Sequence, residues 1–129
     1  YRKSRVASDG LIVLEATFAL TPDMETSIRG RMDDYQRRRE EKQPLELPSA
    51  GSTFKRPPGH FAGKLIMDAG LRGYRVGGAQ VSEKHCGFVV NTGGATAADV
   101  NALIEHIQAE VREQFGVELE PEVHRIGEF

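Results

Sequence analysis

The sequence predicts an α+β domain, a small and mostly antiparallel sheet covered by helices near residues 22–41, 60–69 and 97–115. Three observations predict it. An apolar stripe of Val100, Leu103, Ile104, Ile107 and Val111 has helical spacing and follows a capping pair. Short runs rich in β-branched and aromatic residues read as strands, and prolines and glycines between them break the chain into separate elements. With 129 residues, 39% of them hydrophobic, one compact core is feasible.

In chain order, Leu11–Leu20 follows a Ser-Asp-Gly turn and is expected to be a strand ending at Thr21-Pro22. Thr21 is a suitable N-cap and Pro22 a suitable first helical residue, so a helix should begin there. Met24, Ile28, Met32 and Tyr35 form its apolar stripe, the face expected to pack, and the charged run Arg37–Lys42 ends it as a solvated last turn. Gln43–Gly59 carries Pro44, Pro48, Pro57 and Pro58 and reads as a long loop; irregular segments of that length are more often functional than idle. Phe61, Leu65, Ile66 and Ala69 mark a short helix closed by Gly70. Leu71–Val81 reads as a turn running into a glycine-rich strand with close backbone approach, and Gly87–Asn91 as a buried strand. Thr96 with Asp99 should cap the long helix and Gly116 should stop it. Val117–Ile126 alternates as a last strand whose Pro121 implies an edge or a bulge.

Composition excludes several classes. Seventeen Lys and Arg against nineteen Asp and Glu give a net charge of −2, which argues against a nucleic-acid partner, since phosphate backbones reward strongly basic faces. The longest apolar runs, such as Leu11–Leu14, fall far short of the roughly 18–20 residues that cross a bilayer, so no membrane partner is expected. The single Cys86 has no internal disulfide partner, which favours a reducing, cytoplasmic location. The chain opens on Tyr1-Arg2-Lys3-Ser4 with neither initiator Met nor signal-peptide core, and reads as a fragment.

The chemistry concentrates in two places. In Ala50-Gly51-Ser52-Thr53-Phe54-Lys55-Arg56-Pro57 a small-residue turn sets a hydroxyl beside two cations, an arrangement suited to an anion; the spacing is not that of a Walker motif, and Ser52 is equally readable as a turn residue. In the last segment Glu118, Glu120, Glu122 and His124 share one side; a pocket at its far end would raise the pKa of Glu122 toward proton donation, and open water would leave a solvated face. No metal is expected, because His85-Cys86 and the separate His60, His106 and His124 lack ligand spacing; His106 reads as a surface histidine and Cys86 as a small packed group. A hydrolase triad from Ser52 and His85 lacks the Gly-x-Ser-x-Gly elbow.

Several segments together resemble the UDP-N-acetylenolpyruvoylglucosamine reductase (UDP-N-acetylmuramate dehydrogenase) family. They are Tyr1-Arg2-x-Ser4, the run from Lys42 to Pro57, Ala62–Gly73, Val76–Ser82 with His85-x-Gly-Phe-x-Val-Asn91, and Leu119-Glu-Pro-Glu-Val123. The loop layout is similar to the short-loop subtype of many Gram-positive and thermophilic bacteria. The resemblance implies that residues 7–129 are the family's C-terminal substrate-binding domain and 1–6 the end of a flavin-binding domain. It also implies the family reaction, reduction of UDP-N-acetylglucosamine enolpyruvate to UDP-N-acetylmuramate in peptidoglycan synthesis, with FAD held mainly by the absent domain and NADPH as reductant.

By the same resemblance Ser52 is the proton donor to the carbanionic carbon, and Glu122 and Arg2 polarise the substrate carboxylate, which requires Glu122 to be protonated or water-bridged. Tyr1, Lys42, Arg56 and His85 match substrate-contact positions, as a diphosphate and a carboxylate require cations and donors. Lys55 follows the motif and can serve to hold the loop. The rival expectation is a binding module that captures a sugar nucleotide or similar anion without chemistry; a purely structural role leaves Gly51, Ser52 and Glu122 unexplained.

Overall fold

The computed structural model describes residues 4–127. The chain divides into two units, Tyr1–Asp33 and Asp34–Phe129, the division falling inside one helix. In the first unit, α1 (Arg5–Ser8) is a single turn closed by Asp9, whose carboxylate accepts from Arg5 Nε at 3.0 Å and from Ser8 Oγ at 2.7 Å. Residues 11–20 form no strand, contrary to the sequence expectation, and their apolar side chains lie open, with Leu14 92% exposed. A strand is completed by a neighbour, and the described residues of this unit offer none.

Helix α2 (Glu25–Lys42) begins three residues after Pro22. Asp23 Oδ1 takes the Met24 amide at 2.7 Å, a local bond that competes with an earlier helical start. None of the residues of α2 is buried, and Met24, Ile28, Met32 and Tyr35 are exposed, so the expected packed face is not covered among the described residues. The helix surface is laced instead by pairs such as Arg29–Glu25 (2.8 Å) and Arg37–Glu41 (2.7 Å), exposed contacts that contribute little in water.

In the second unit, β1 (Ser49–Ser52), β2 (Arg75–Val76), β3 (Ala79–Val81) and β4 (Phe88–Asn91) form a sheet of order β1-β4-β3-β2, antiparallel at every pairing. The edge strand β1 lies inside the stretch expected to be loop throughout. The segment expected as one strand over 71–81 is a hairpin, turning at Gly77-Gly78. The glycines are required there. Gly77 has φ +54°, and a Cβ on Gly78 would meet the Ala95 amide nitrogen and come within 2.6 Å of the Gly93 carbonyl, so the turn seats directly on the start of α4 (Ala97–Phe115).

Helix α4 is the main wall of the core. Leu103, Ile104, Ile107 and Val111 are buried and cluster with Leu65 and Ile66 of α3 (Ala62–Asp68), Ala79 and Val81 of β3, and Phe54 and Leu119. Each of the larger side chains among them contributes about 1.5–3 kcal/mol by leaving water. Thr96 and Asp99 cap the helix reciprocally: Thr96 Oγ1 accepts from Asp99 N at 3.1 Å and Asp99 Oδ2 accepts from Thr96 N at 2.9 Å. Gly116, at φ +64°, ends it. Residues 117–126 do not form the continuous strand expected; a single antiparallel bridge joins Pro121 to Phe54, because proline has no amide hydrogen to continue a ladder. The alternation of faces survives in part, with Leu119 buried and Glu118, Glu120 and His124 exposed.

Candidate functional site

The site is built where β1 leaves the sheet. Along β1 the pairing runs from Ser49 opposite Val90 to Ser52 opposite Phe88, so β1 carries one more residue than β4 over that interval. Gly51 accommodates the extra residue with φ +84°, and its amide donates to Ser49 Oγ at 3.3 Å. The bulge delivers Ser52 to a cavity of about 510 Å³, walled by Arg39, Gln43, Pro44, Leu47 and Phe88 among others. Among the described residues the Ser52 hydroxyl makes no hydrogen bond.

Immediately after the bulge the chain pairs with the C-terminal segment. Glu122 N donates to Thr53 O at 2.8 Å and Lys55 N to Glu120 O at 2.9 Å. The Lys55 ammonium also pairs with the Glu120 carboxylate, an exposed contact beside the main-chain bond. Glu122 is half-buried, and its backbone lies one residue and one hydrogen bond from that of Ser52. Two residues far apart in sequence are thus fixed in register by main chain.

The other anticipated residues are more dispersed. Neither Glu122, Lys42, Arg56 nor His85 lines the Ser52 cavity. Lys42 is the exposed last residue of α2, next to Gln43 in the cavity wall. Arg56 donates from Nε to His60 O at 3.2 Å and stacks its guanidinium 4.0 Å from the Phe61 ring centroid. His85 accepts the Gly87 amide on Nδ1 at 3.0 Å, which leaves Nε2 to carry the proton of the neutral ring. Its ring lies edge-to-face with Phe88, centroids 5.0 Å apart, and it lines a second cavity of about 250 Å³ with Lys64, Arg72 and Lys84. Tyr1 and Arg2 lie outside the described residues.

Sequence reasoning missed Thr53, whose hydroxyl accepts the Val89 amide at 3.0 Å while 3% exposed. It also missed Lys84, whose ammonium donates to the carbonyl of Glu40 at 2.6 Å and so ties the end of α2 to the loop before β4. A buried position predicted for Thr53 would have flagged it; nothing in the sequence flags Lys84. Cys86 is buried among apolar neighbours, as expected, and His106 stacks on Tyr74 with centroids 4.4 Å apart. Among the described residues no group of three His, Cys, Asp or Glu side chains could hold a metal ion.

A flavin's pyrophosphate needs glycine amides free to face it. The glycine-rich turns here are committed: Asn91 Oδ1 takes the Gly93 and Ala95 amides at 2.8 and 3.2 Å, and Gly77-Gly78 is closed by the Asp99 carboxylate. Neither turn therefore offers free glycine amides to such a pyrophosphate.

Fold and site define a small α+β domain that presents a serine hydroxyl at a bulged sheet edge. The model of one family, described as UDP-N-acetylenolpyruvoylglucosamine reductase, C-terminal domain, matches residues 43–126, and the chain belongs to that family. UDP-N-acetylenolpyruvoylglucosamine reductase of Agathobacter rectalis is 66% identical over 129 residues, which is 100% of this chain and 41% of the relative. That of Listeria innocua is 60% identical over 128 residues, 99% of this chain and 43% of the relative. The crystal structure of UDP-N-acetylenolpyruvylglucosamine reductase from Thermus caldophilus matches with a TM-score of 0.64 and 40% identity, over 81% of this chain and 37% of the other. The chain thus spans about two-fifths of the length of the curated relatives it matches. No helix among the described residues is long and apolar enough to cross a membrane.

Proposed function

We propose that this chain, with residues 7–129 as its substrate-binding domain, is the substrate-binding and proton-donating part of a cytoplasmic reductase that converts UDP-N-acetylglucosamine enolpyruvate to UDP-N-acetylmuramate for peptidoglycan synthesis. The observation that carries the reading is the register lock between Ser52 and Glu122, made by the 2.8 Å bond from Glu122 N to Thr53 O. The family names borne by the relatives supply the reaction class. By the family resemblance, FAD reduced by NADPH would supply the hydride for the enol double bond, the flavin being held outside the described residues of this chain.

This chain's own residues meet the substrate. Ser52 holds the proton that the carbanionic carbon takes up, a hydroxyl acting as an acid because its partner is strongly basic. Glu122, in its protonated form, and Arg2 face the substrate carboxylate and stabilise charge that develops there. Tyr1, Lys42, Arg56 and His85 contact the remainder of the UDP-sugar, where cations balance the diphosphate.

The test is stopped-flow kinetics of Ser52→Ala in the full-length reductase. Oxidation of the reduced flavin by substrate should slow by about 10²–10⁴-fold while flavin reduction by NADPH stays within about twofold. Equal loss in both half-reactions would remove the acid role.

A further inference from the structure

We infer that Thr53 is a positioning residue for the proton donor Ser52, an inference that rests on the function proposed above. Thr53 makes three bonds in three directions. Its amide donates to Gly87 O at 2.8 Å and its hydroxyl accepts from Val89 N at 3.0 Å, so it grips β4 on both sides of Phe88, the residue opposite Ser52. Its carbonyl accepts from Glu122 N at 2.8 Å. In a regular ladder the Val89 amide would find a backbone carbonyl; at the end of the β1 bulge the register has slipped, and the threonine side chain takes that place.

Ser52 stands between two fixed points, Gly51 at φ +84° and this clamp, and the clamp also carries the Glu122 segment. The side chain is buried, so water cannot substitute for the lost acceptor if the hydroxyl is removed. The amide of Val89 then has to move or find another partner, and the end of the bulge moves with it. Displacements near 1 Å at a reacting group cost up to about 10²-fold in rate.

The experiment compares Thr53→Val, which keeps shape and loses the acceptor, with Thr53→Ser, which keeps it, in the full-length reductase. In single-turnover kinetics Thr53→Val should slow oxidation of the reduced flavin by UDP-N-acetylglucosamine enolpyruvate by about 10–100-fold, with flavin reduction by NADPH and substrate affinity within about twofold of wild type. Thr53→Ser should restore the rate, and Val89 amide exchange should quicken in the valine variant but not in the serine variant. Thr53→Cys, a weaker acceptor of similar size, should fall between the two and serves if the valine protein does not fold. Wild-type rates in the valine or cysteine variant, failure of serine to restore, or equal loss in both half-reactions would overturn the inference. If instead the wild-type enzyme itself fails to oxidise its flavin with this substrate, the functional reading fails and not the clamp, which Val89 exchange still reports.

Discussion

Replacing Gly51 by alanine isolates a single physical cost. A Cβ at this position would have no heavy atom within 4 Å, so no steric clash enters; what remains is a φ of +84°, where L-residues are strained by about 1–2 kcal/mol. For a domain near 100 residues each kcal/mol lowers the melting temperature by about 4–8 °C. Thermal unfolding followed by far-ultraviolet circular dichroism should therefore show a clear loss for Gly51→Ala and a smaller one for Gly51→Asn, since asparagine tolerates left-handed backbone better. The alternative escape is to close the bulge, which slips β1 by one residue and turns Ser52 to the other face of the sheet. That route would spare stability and slow substrate-dependent flavin oxidation in the full-length enzyme. An alanine variant that melts with wild type and oxidises its flavin at the wild-type rate would show that the bulge does not hold Ser52.

Three further outcomes follow from the same geometry. Gly78→Ala should destabilise by about 1–3 kcal/mol in chemical denaturation, because its Cβ would press on the backbone of Gly93 and Ala95, whereas Gly30→Ala, with open space around it in α2, should raise helicity and stability by up to about 1 kcal/mol; the reverse order would discredit the hairpin–helix contact. The Asp99 carboxyl is held below its ordinary 3.8 by the Thr96 amide first and then the Thr96 hydroxyl, against an opposing desolvation, with a lesser contribution from the Gly78 amide. A lowered folded-state pKa means stability that is whole above the ordinary value and lost as pH falls through the folded one, so Asp99→Asn should flatten the acid limb of melting temperature against pH, and identical acid limbs would contradict the cap. Ile107→Ala should cost about 2–5 kcal/mol, since the side chain is fully buried in the α4 core; a loss below 1 kcal/mol would mean the site collapses around the void.

What could be read from the sequence was whatever is decided locally. Helix α4 has its stripe, capping pair and terminal glycine within one continuous segment, and the structure reproduces all three. Strand β1 could not be read, because Ser49–Ser52 has neither β-branched residues nor alternation; the edge of β4 makes it a strand, through contacts distant in sequence. Leu11–Leu20 fails in the opposite way, having the composition of a strand but no neighbour among the described residues of its unit. Pro121 implied an edge or a bulge in a last strand; the strand itself does not form, and only a bridge to Phe54 remains. Ser52 stood out only as a hydroxyl beside cations, and its chemical role came from the family resemblance. Thr53, one residue on, gave no sign, since the bond that distinguishes it is made to an amide 36 residues away.

The division of labour between these neighbours has a chemical reason. A serine hydroxyl is a poor acid, and a hydrogen bond donated within the protein would have to break before its proton could reach a carbon. Holding Ser52 by its own side chain would therefore oppose the proposed step. Here the restraint is carried by groups that transfer nothing: the Gly51 bulge on one side, and on the other the amide, hydroxyl and carbonyl of Thr53. The same carbonyl holds the Glu122 backbone, so any shift of the clamp disturbs the proposed donor and the proposed carboxylate-facing acid together. Substitutions at Thr53 and Ser52 should then be strongly non-additive: once the donor is gone, misplacing it costs nothing further.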